Sequence, residues 1–239
     1  MKSQLTLTFG ETVSYSSETF IAHEGSREIA DTLITLAAEK RFALVYIQGA
    51  PKTGKTHLSV YCAGLLRSLE ASVDVVSGEQ ASRWYVDRFS GSRAIPSGQS
   101  LIIDDADRWI GNPTAEGGFT AMADAISQSK GVLVLLGSVA ADKLEVSAQI
   151  KSRLKAGVQL ELGSCEDWAL DAILKAMCAQ RGLKLSDAKR RFVLARVERS
   201  IPALSSFLAR LQALGRSASN STSFDLLAAA VGEGGESQG

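Results

Sequence analysis

Residues 49–56 read Gly49-Ala50-Pro51-Lys52-Thr53-Gly54-Lys55-Thr56 and satisfy every constrained position of the pattern G-x-x-x-x-G-K-[ST]. Glycines at both ends let the backbone fold back so that its N–H groups converge on an anion. A helix that follows points its positive end at the same spot. Lys55 then reaches β- and γ-phosphates, and the Thr56 hydroxyl takes one place on a magnesium ion. The flanks agree with this chemistry. Residues 43–47 (Ala-Leu-Val-Tyr-Ile) read as a buried strand and 57–69 as a helix. A glycine turn with a stray lysine would have no reason to sit between those two elements. The loop implies bound ADP or ATP.

Composition narrows the remaining classes. Lys+Arg and Asp+Glu are 26 each, so a mainly electrostatic grip on nucleic acid or an anionic membrane is not expected. Sequence-specific DNA binding is not expected either. The three cysteines, Cys62, Cys165 and Cys178, are far apart and odd in number, and read as small core residues in a reducing compartment. No apolar run approaches the ~20 residues of a membrane span. The first residues, with one lysine and then a polar alternating stretch, do not read as a signal peptide. The expected location is the cytoplasm.

Along the chain, Leu5, Leu7 and Phe9 alternate with polar residues, which suits an edge strand. The same stretch, Gln4-Leu5-Thr6-Leu7-Thr8-Phe9, also reads as a linear docking peptide, Q-x-x-L-x-F, with a glutamine amide and two apolar anchors. Residues 25–40 read as an amphipathic helix through Ile29, Leu33, Leu36 and Ala37. Strand 73–76 and helix 78–89 follow, with Trp84, Val86 and Phe89 expected in the core. Residues 101–105, Leu-Ile-Ile-Asp-Asp, form an apolar strand ending in two carboxylates, the Walker B arrangement. Asp104 would orient magnesium and Asp105 would polarise an attacking water at the strand's C-terminal edge. A helix N-cap is the competing reading, although one Asp would suffice for a cap.

A helix over 119–129, a strand over 132–136, a short helix over 147–154 and a strand over 158–162 complete the alternation. Buried strands alternating with helices predict an α/β fold, a three-layer αβα sandwich on a parallel sheet. After Gly163 the pattern is all helical: 167–181, 187–199, 201–214 and 224–231. The expected division is a peptide and linker at 1–17, a nucleotide-binding domain at 18–162, a helical domain at 163–231 and a polar tail at 232–239. The basic run Lys189-Arg190-Arg191 is expected to lie on the helical domain's surface.

A phosphate-loop sandwich followed by a small helical lid resembles the AAA+ proteins. Residues 54–58 (Gly-Lys-Thr-His-Leu), 102–105 (Ile-Ile-Asp-Asp) and 151–157 (Lys-Ser-Arg-Leu-Lys-Ala-Gly) together resemble the AAA+ module of the replication initiator DnaA. The resemblance spans about residues 18–215 and is best to a stand-alone regulatory paralogue that carries a clamp-docking peptide ahead of the module. It implies that 49–57, His57 included, hold nucleotide and that Thr56 and Asp104 hold magnesium. Gln4, Leu5, Leu7 and Phe9 would bind the sliding clamp of DNA polymerase III. Arg153 would be an arginine finger acting on the nucleotide of a partner, DnaA itself. A surface arginine with a local partner is the alternative for Arg153. The duplex-binding domain of DnaA is expected to be absent, and homo-oligomerisation is left open.

Two departures bear on catalysis. Where the family lid has a sensor arginine, this chain has Pro202, which donates nothing; Arg199 is the nearest substitute. After the fourth strand Gly137-Ser138 replace the acidic sensor, and Ser138 offers only a hydroxyl. Weak intrinsic hydrolysis is expected, with diphosphate binding intact. Two rival readings are a helicase-loader type of AAA+ ATPase and a non-enzymatic clamp adaptor.

Overall fold

The computed structural model describes residues 20–89, 95–163, 165–215 and 223–232. The docking segment 4–9 lies outside these. Among the described residues no helix is long and apolar enough to cross a membrane. The chain forms two compact units, one comprising described residues 20 and 24–163, the other 21–23, 165–215 and 223–232.

Unit one alternates helix and strand, except that two helices follow β3: α1 (Glu24–Ala38), β1 (Ala43–Gly49), α2 (Lys55–Ser68), β2 (Val73–Ser77), α3 (Gly78–Phe89), β3 (Ser100–Asp104), α4 (Ala106–Ile110), α5 (Glu116–Ser129), β4 (Val132–Gly137), α6 (Ala148–Ala156) and β5 (Val158–Leu162). All five strands are parallel, in the order β2-β3-β4-β1-β5. The period of two along each strand divides the core. Leu44, Tyr46, Leu101, Ile103, Leu133 and Leu135 face Trp109, Phe119, Met122, Ile126, Ile150 and Leu154 from α4, α5 and α6. Val45, Ile47, Ile102, Val134 and Leu136 face Ile29 and Leu33 of α1 and Leu58, Cys62 and Leu66 of α2. This is the three-layer sandwich expected from the apolar strands.

The entry to α1 and the exit from β5 touch. The Gly163 N–H donates to the Gly25 carbonyl at 3.1 Å, and a Cβ on Gly25 would lie 2.8 Å from the Gly163 Cα. Two glycines are what this backbone crossing tolerates.

Four expectations need correction. Strand β3 ends at Asp104, not Asp105. Asp105 takes a left-handed conformation (φ 50°) at the head of the unforeseen helix α4, a conformation that Asp, with its short polar side chain, tolerates better than most residues. Val86 is 56% exposed rather than in the core; on α3 the partly buried Trp84 and Tyr85 pack on it instead.

The third correction concerns the second unit, built from α7 (Asp167–Gln180), α8 (Asp187–Leu194), α9 (Ile201–Gly215) and α10 (Phe224–Gly232). The helix expected over 187–199 stops at Leu194. Ser200 and Pro202 explain why. The Ser200 hydroxyl accepts the Ala203 N–H and proline occupies the second helical position, a start signal for α9 that forces a break before it. Leu174, Val193, Leu204, Phe207, Leu208 and Leu227 form this unit's core.

Arg190 is buried here rather than on the surface. Its guanidinium donates to both Asp171 oxygens at 2.8 and 2.9 Å, to Asp187 at 2.9 Å and to the Leu185 carbonyl at 3.0 Å. These bonds offset the cost of taking the cation out of water. Arg190 and its hydrogen bonds hold the Asp171 carboxyl below its ordinary value. A depressed folded value means that the pair stabilises above the unfolded carboxylate's pKa near 4 and is lost as pH falls through the folded value. Arg190→Met is expected to cost about 1–2 kcal/mol at pH 7, reduced from a fully buried pair because Asp171 keeps 36% exposure. Urea titrations at pH 7 and pH 3 should show the wild-type advantage shrinking in acid. An advantage independent of pH would mean that the contribution is packing alone.

Candidate functional site

At the C-terminal edge of the sheet, β1 runs into the loop 50–54 and then α2. The chain reverses because Lys52 (φ 66°) and Gly54 (φ 95°) adopt left-handed conformations. The Thr53 hydroxyl closes the turn on the Ala50 carbonyl at 2.8 Å. Gly54 is the N-cap of α2 and supplies no side-chain bond, so the first-turn N–H groups have no capping side chain and face the loop. Lys55 is only 7% exposed. Its ammonium donates to the carbonyls of Gly49 (2.8 Å) and Ala50 (3.0 Å), which holds a positive charge inside the loop.

Thr56 points across to the next strand but one. Its hydroxyl donates to Asp104 Oδ2 at 2.6 Å, joining two residues separated by 48 positions. Asp104 is 4% exposed, and burial raises its carboxyl above the ordinary value, partly opposed by the Thr56 hydrogen bond. Its second oxygen, Oδ1, is buried and accepts no hydrogen bond. A hydroxyl and a carboxylate with a spare buried oxygen suit a hard divalent cation. Among the described residues no group of three or more His, Cys, Asp or Glu could hold a metal ion. Magnesium fits that limit, since it binds through one or two protein oxygens with phosphates and water supplying the rest. Thr56 and Asp104 are the residues that would hold it. Such an ion neutralises charge on phosphate oxygens.

Asp105, half-buried at the head of α4, continues from Asp104 on the same edge. Ser138 follows β4 on this edge too, because β4 lies between β1 and β3 with Gln48 opposite Gly137 and Ile103 opposite Leu135. The His57 ring meets Phe20 edge-on at 5.2 Å, and Phe20 stacks on Tyr61 at 4.3 Å. The structure therefore gathers Gly49, Lys55, Thr56, Asp104, Asp105 and Ser138 at one sheet edge.

Arg153 is elsewhere. On the last turn of α6, it pairs with Asp124 of α5 at 2.8 Å. It lines a cavity of about 430 Å³ with Phe42, Ala43, Leu44, Gly157 and Val158, residues at the starting edge of β1 and β5. The phosphate loop begins where β1 ends, roughly 20 Å away at about 3.3 Å per strand residue. In the second unit Pro202 sits exposed near the start of α9, and Arg199 is paired with Asp167. Sequence reasoning missed Asp107 and Tyr46, which bind the turn carrying Ser138. An aspartate three positions after a strand-ending aspartate was the available signal.

Among solved structures, domain III of the replication initiation protein DnaA from Thermotoga maritima superposes with a TM-score of 0.76 at 18% identity, covering 92% of this chain and 96% of that one. DnaA from Aquifex aeolicus, bound to AMPPCP, gives 0.66 at 18% identity, over 87% and 68%. A point mutant of RuvB from Thermotoga maritima gives 0.70 at 18% identity, over 91% and 71%. No protein-family model and no curated protein matches the sequence. The similarity fixes the fold: a parallel αβα sandwich followed in the chain by a helical unit.

Proposed function

We propose that this chain is a nucleotide-binding AAA+ regulator of DNA replication initiation, acting on DnaA in the manner of its stand-alone regulatory paralogue, Hda. Residues 49–57 hold ADP or ATP, and Thr56 and Asp104 hold magnesium. The segment Gln4, Leu5, Leu7 and Phe9 docks on the sliding clamp, and Arg153 promotes hydrolysis of DnaA-bound ATP. One observation carries the reading: Arg153 lies at the sheet edge opposite its own phosphate loop. A guanidinium there can reach phosphates only on another molecule. Stabilising charge on a transferring phosphoryl group is what such a cation contributes. The proposed setting is the cytoplasm, with the peptide 1–17, the sandwich 18–162 and the helical part 163–231 as working divisions.

A second reading, a clamp adaptor that is not an enzyme, is favoured by the Arg153–Asp124 pair, since an arginine with a local partner need have no further task. The test is conversion of DnaA-bound ATP to ADP with DNA-loaded clamp, with and without this protein. Wild type should accelerate conversion, and the triple replacement Gln4→Ala, Leu7→Ala, Phe9→Ala should lose clamp binding and that acceleration together. Clamp binding without acceleration selects the adaptor.

A further inference from the structure

The cavity at the starting edge of β1 and β5 has a lining that packing alone does not call for. Its volume, about 430 Å³, falls within the range of about 300–1,000 Å³ that holds small organic ligands. Small residues make the room: Ala43, Ala123, Ala156 and Gly157 all lie on its wall. The wall itself is tight. A Cβ on Gly157 would fall 2.6 Å from Leu44 Cδ2 and 2.7 Å from the Leu44 carbonyl oxygen. The turn between α6 and β5 is therefore already pressed onto β1, and the space beside it is not slack in the packing.

The charge on the lining is of one sign. Among the described residues the charged side chains that line the cavity are Arg41 and Arg153, while Phe42 and Val158 supply apolar surface. Each guanidinium is oriented by a carboxylate from outside the lining. Arg41 donates through Nε to Glu39 at 2.6 Å, and Arg153 donates through Nη1 to Asp124 at 2.8 Å. Each uses one nitrogen there, and its other N–H groups bond nothing else among the described residues. An arginine fork matches a carboxylate edge to edge. Two such forks beside an apolar wall select a ligand with a flat apolar body and one carboxylate.

We propose that this cavity is a second ligand site, which takes a small aryl carboxylate, and that its occupant holds Arg153 away from a partner's phosphates. The site lies where β1 starts, whereas the phosphate loop lies where β1 ends. Binding stands on the cavity alone; the consequence rests on the reading of Arg153 as an arginine finger. One guanidinium cannot set its fork on a ligand carboxylate and on a transferring phosphoryl group together. The two uses exclude each other.

The test titrates the full chain with naphthoate, and with naphthamide as its uncharged counterpart of the same shape, by ligand-observed NMR. Naphthoate should bind saturably at one site with Kd below about 2 mM, and naphthamide at least about tenfold more weakly. Arg41→Ala and Arg153→Ala should each weaken naphthoate at least about fivefold and leave naphthamide within about twofold. Ala156→Trp, which fills the cavity from an exposed position, should abolish binding of both. Binding that survives Ala156→Trp, equal affinity for acid and amide, or no saturable binding would each overturn the site. Should Ala156→Trp fail to fold, Arg41→Ala, at an exposed side chain, decides. In the assay of DnaA-bound ATP conversion, naphthoate should suppress stimulation by wild type, and Arg41→Ala should move that suppression to at least about fivefold higher concentration. Stimulation untouched at saturating naphthoate overturns the consequence. Wild-type protein that binds naphthoate yet stimulates nothing overturns the finger reading, a result distinct from failure to bind.

Discussion

Lys55→Ala is expected to weaken nucleotide binding by at least about a hundredfold, or about 2.7 kcal/mol, while the fold persists. The ammonium is nearly enclosed, so its attraction for phosphate is screened little by solvent. Its two present partners are neutral carbonyls of Gly49 and Ala50, which hold the cation without neutralising it. Alanine suits the first turn of α2 at least as well as lysine. Losing two hydrogen bonds costs about 1 kcal/mol each, too little to unfold a sandwich with apolar cores on both faces of its sheet. Titration with a fluorescent ADP analogue measures the effect, with a thermal melt without nucleotide as control. Affinity within about threefold of wild type, in a folded variant, would refute the phosphate-loop assignment.

Arg153→Ala is expected to lower stimulation of DnaA-bound ATP hydrolysis by about two orders of magnitude or more, about 2.7 kcal/mol of transition-state stabilisation. A guanidinium delivered in trans is worth ~10³–10⁵ in rate in other ATP- and GTP-hydrolysing systems. Its pairing with Asp124 does not stand in the way. Side-chain exposures of 34% and 53% make this a surface pair, worth roughly 0–1 kcal/mol, which a phosphate can displace. Arg190 is the contrast, enclosed by Asp171, Asp187 and the Leu185 carbonyl and unavailable to any partner. Arg153→Lys should rescue only in part, because an ammonium cannot reproduce the planar fork. Clamp docking and ADP binding should be unchanged in both variants. If Arg153→Ala stimulates as wild type does, the adaptor reading replaces the finger.

Strands β1, β3 and β4 were legible as short, mainly apolar runs and β5 by its alternation of apolar and polar residues, and the phosphate loop because glycines and lysine fall at fixed spacing. The carboxylates closing β3 were legible because they change an apolar run abruptly, although the strand stops at Asp104, one residue earlier than expected. What stayed hidden depends on approach in three dimensions. Nothing local distinguishes buried Arg190 from its neighbours Lys189 and Arg191; only the folding of α7 against α8 brings Asp171 to it. Val86 follows an aromatic pair that takes the core positions first. Asp107 and Tyr46 are far apart in the chain and meet only when β1 and β4 pair in register.

The parallel sheet gives the first unit a polarity: an arginine near the edge where strands start and a phosphate loop where they end. Two molecules joined arginine to loop cannot be related by a two-fold axis, since each would have to offer both edges at once. The proposed contact would be heterologous, leaving one loop vacant at one end and one arginine unused at the other. On that proposal a copy of this chain seated on a partner would still present one of those features, and further growth of such an assembly would have a direction built into it.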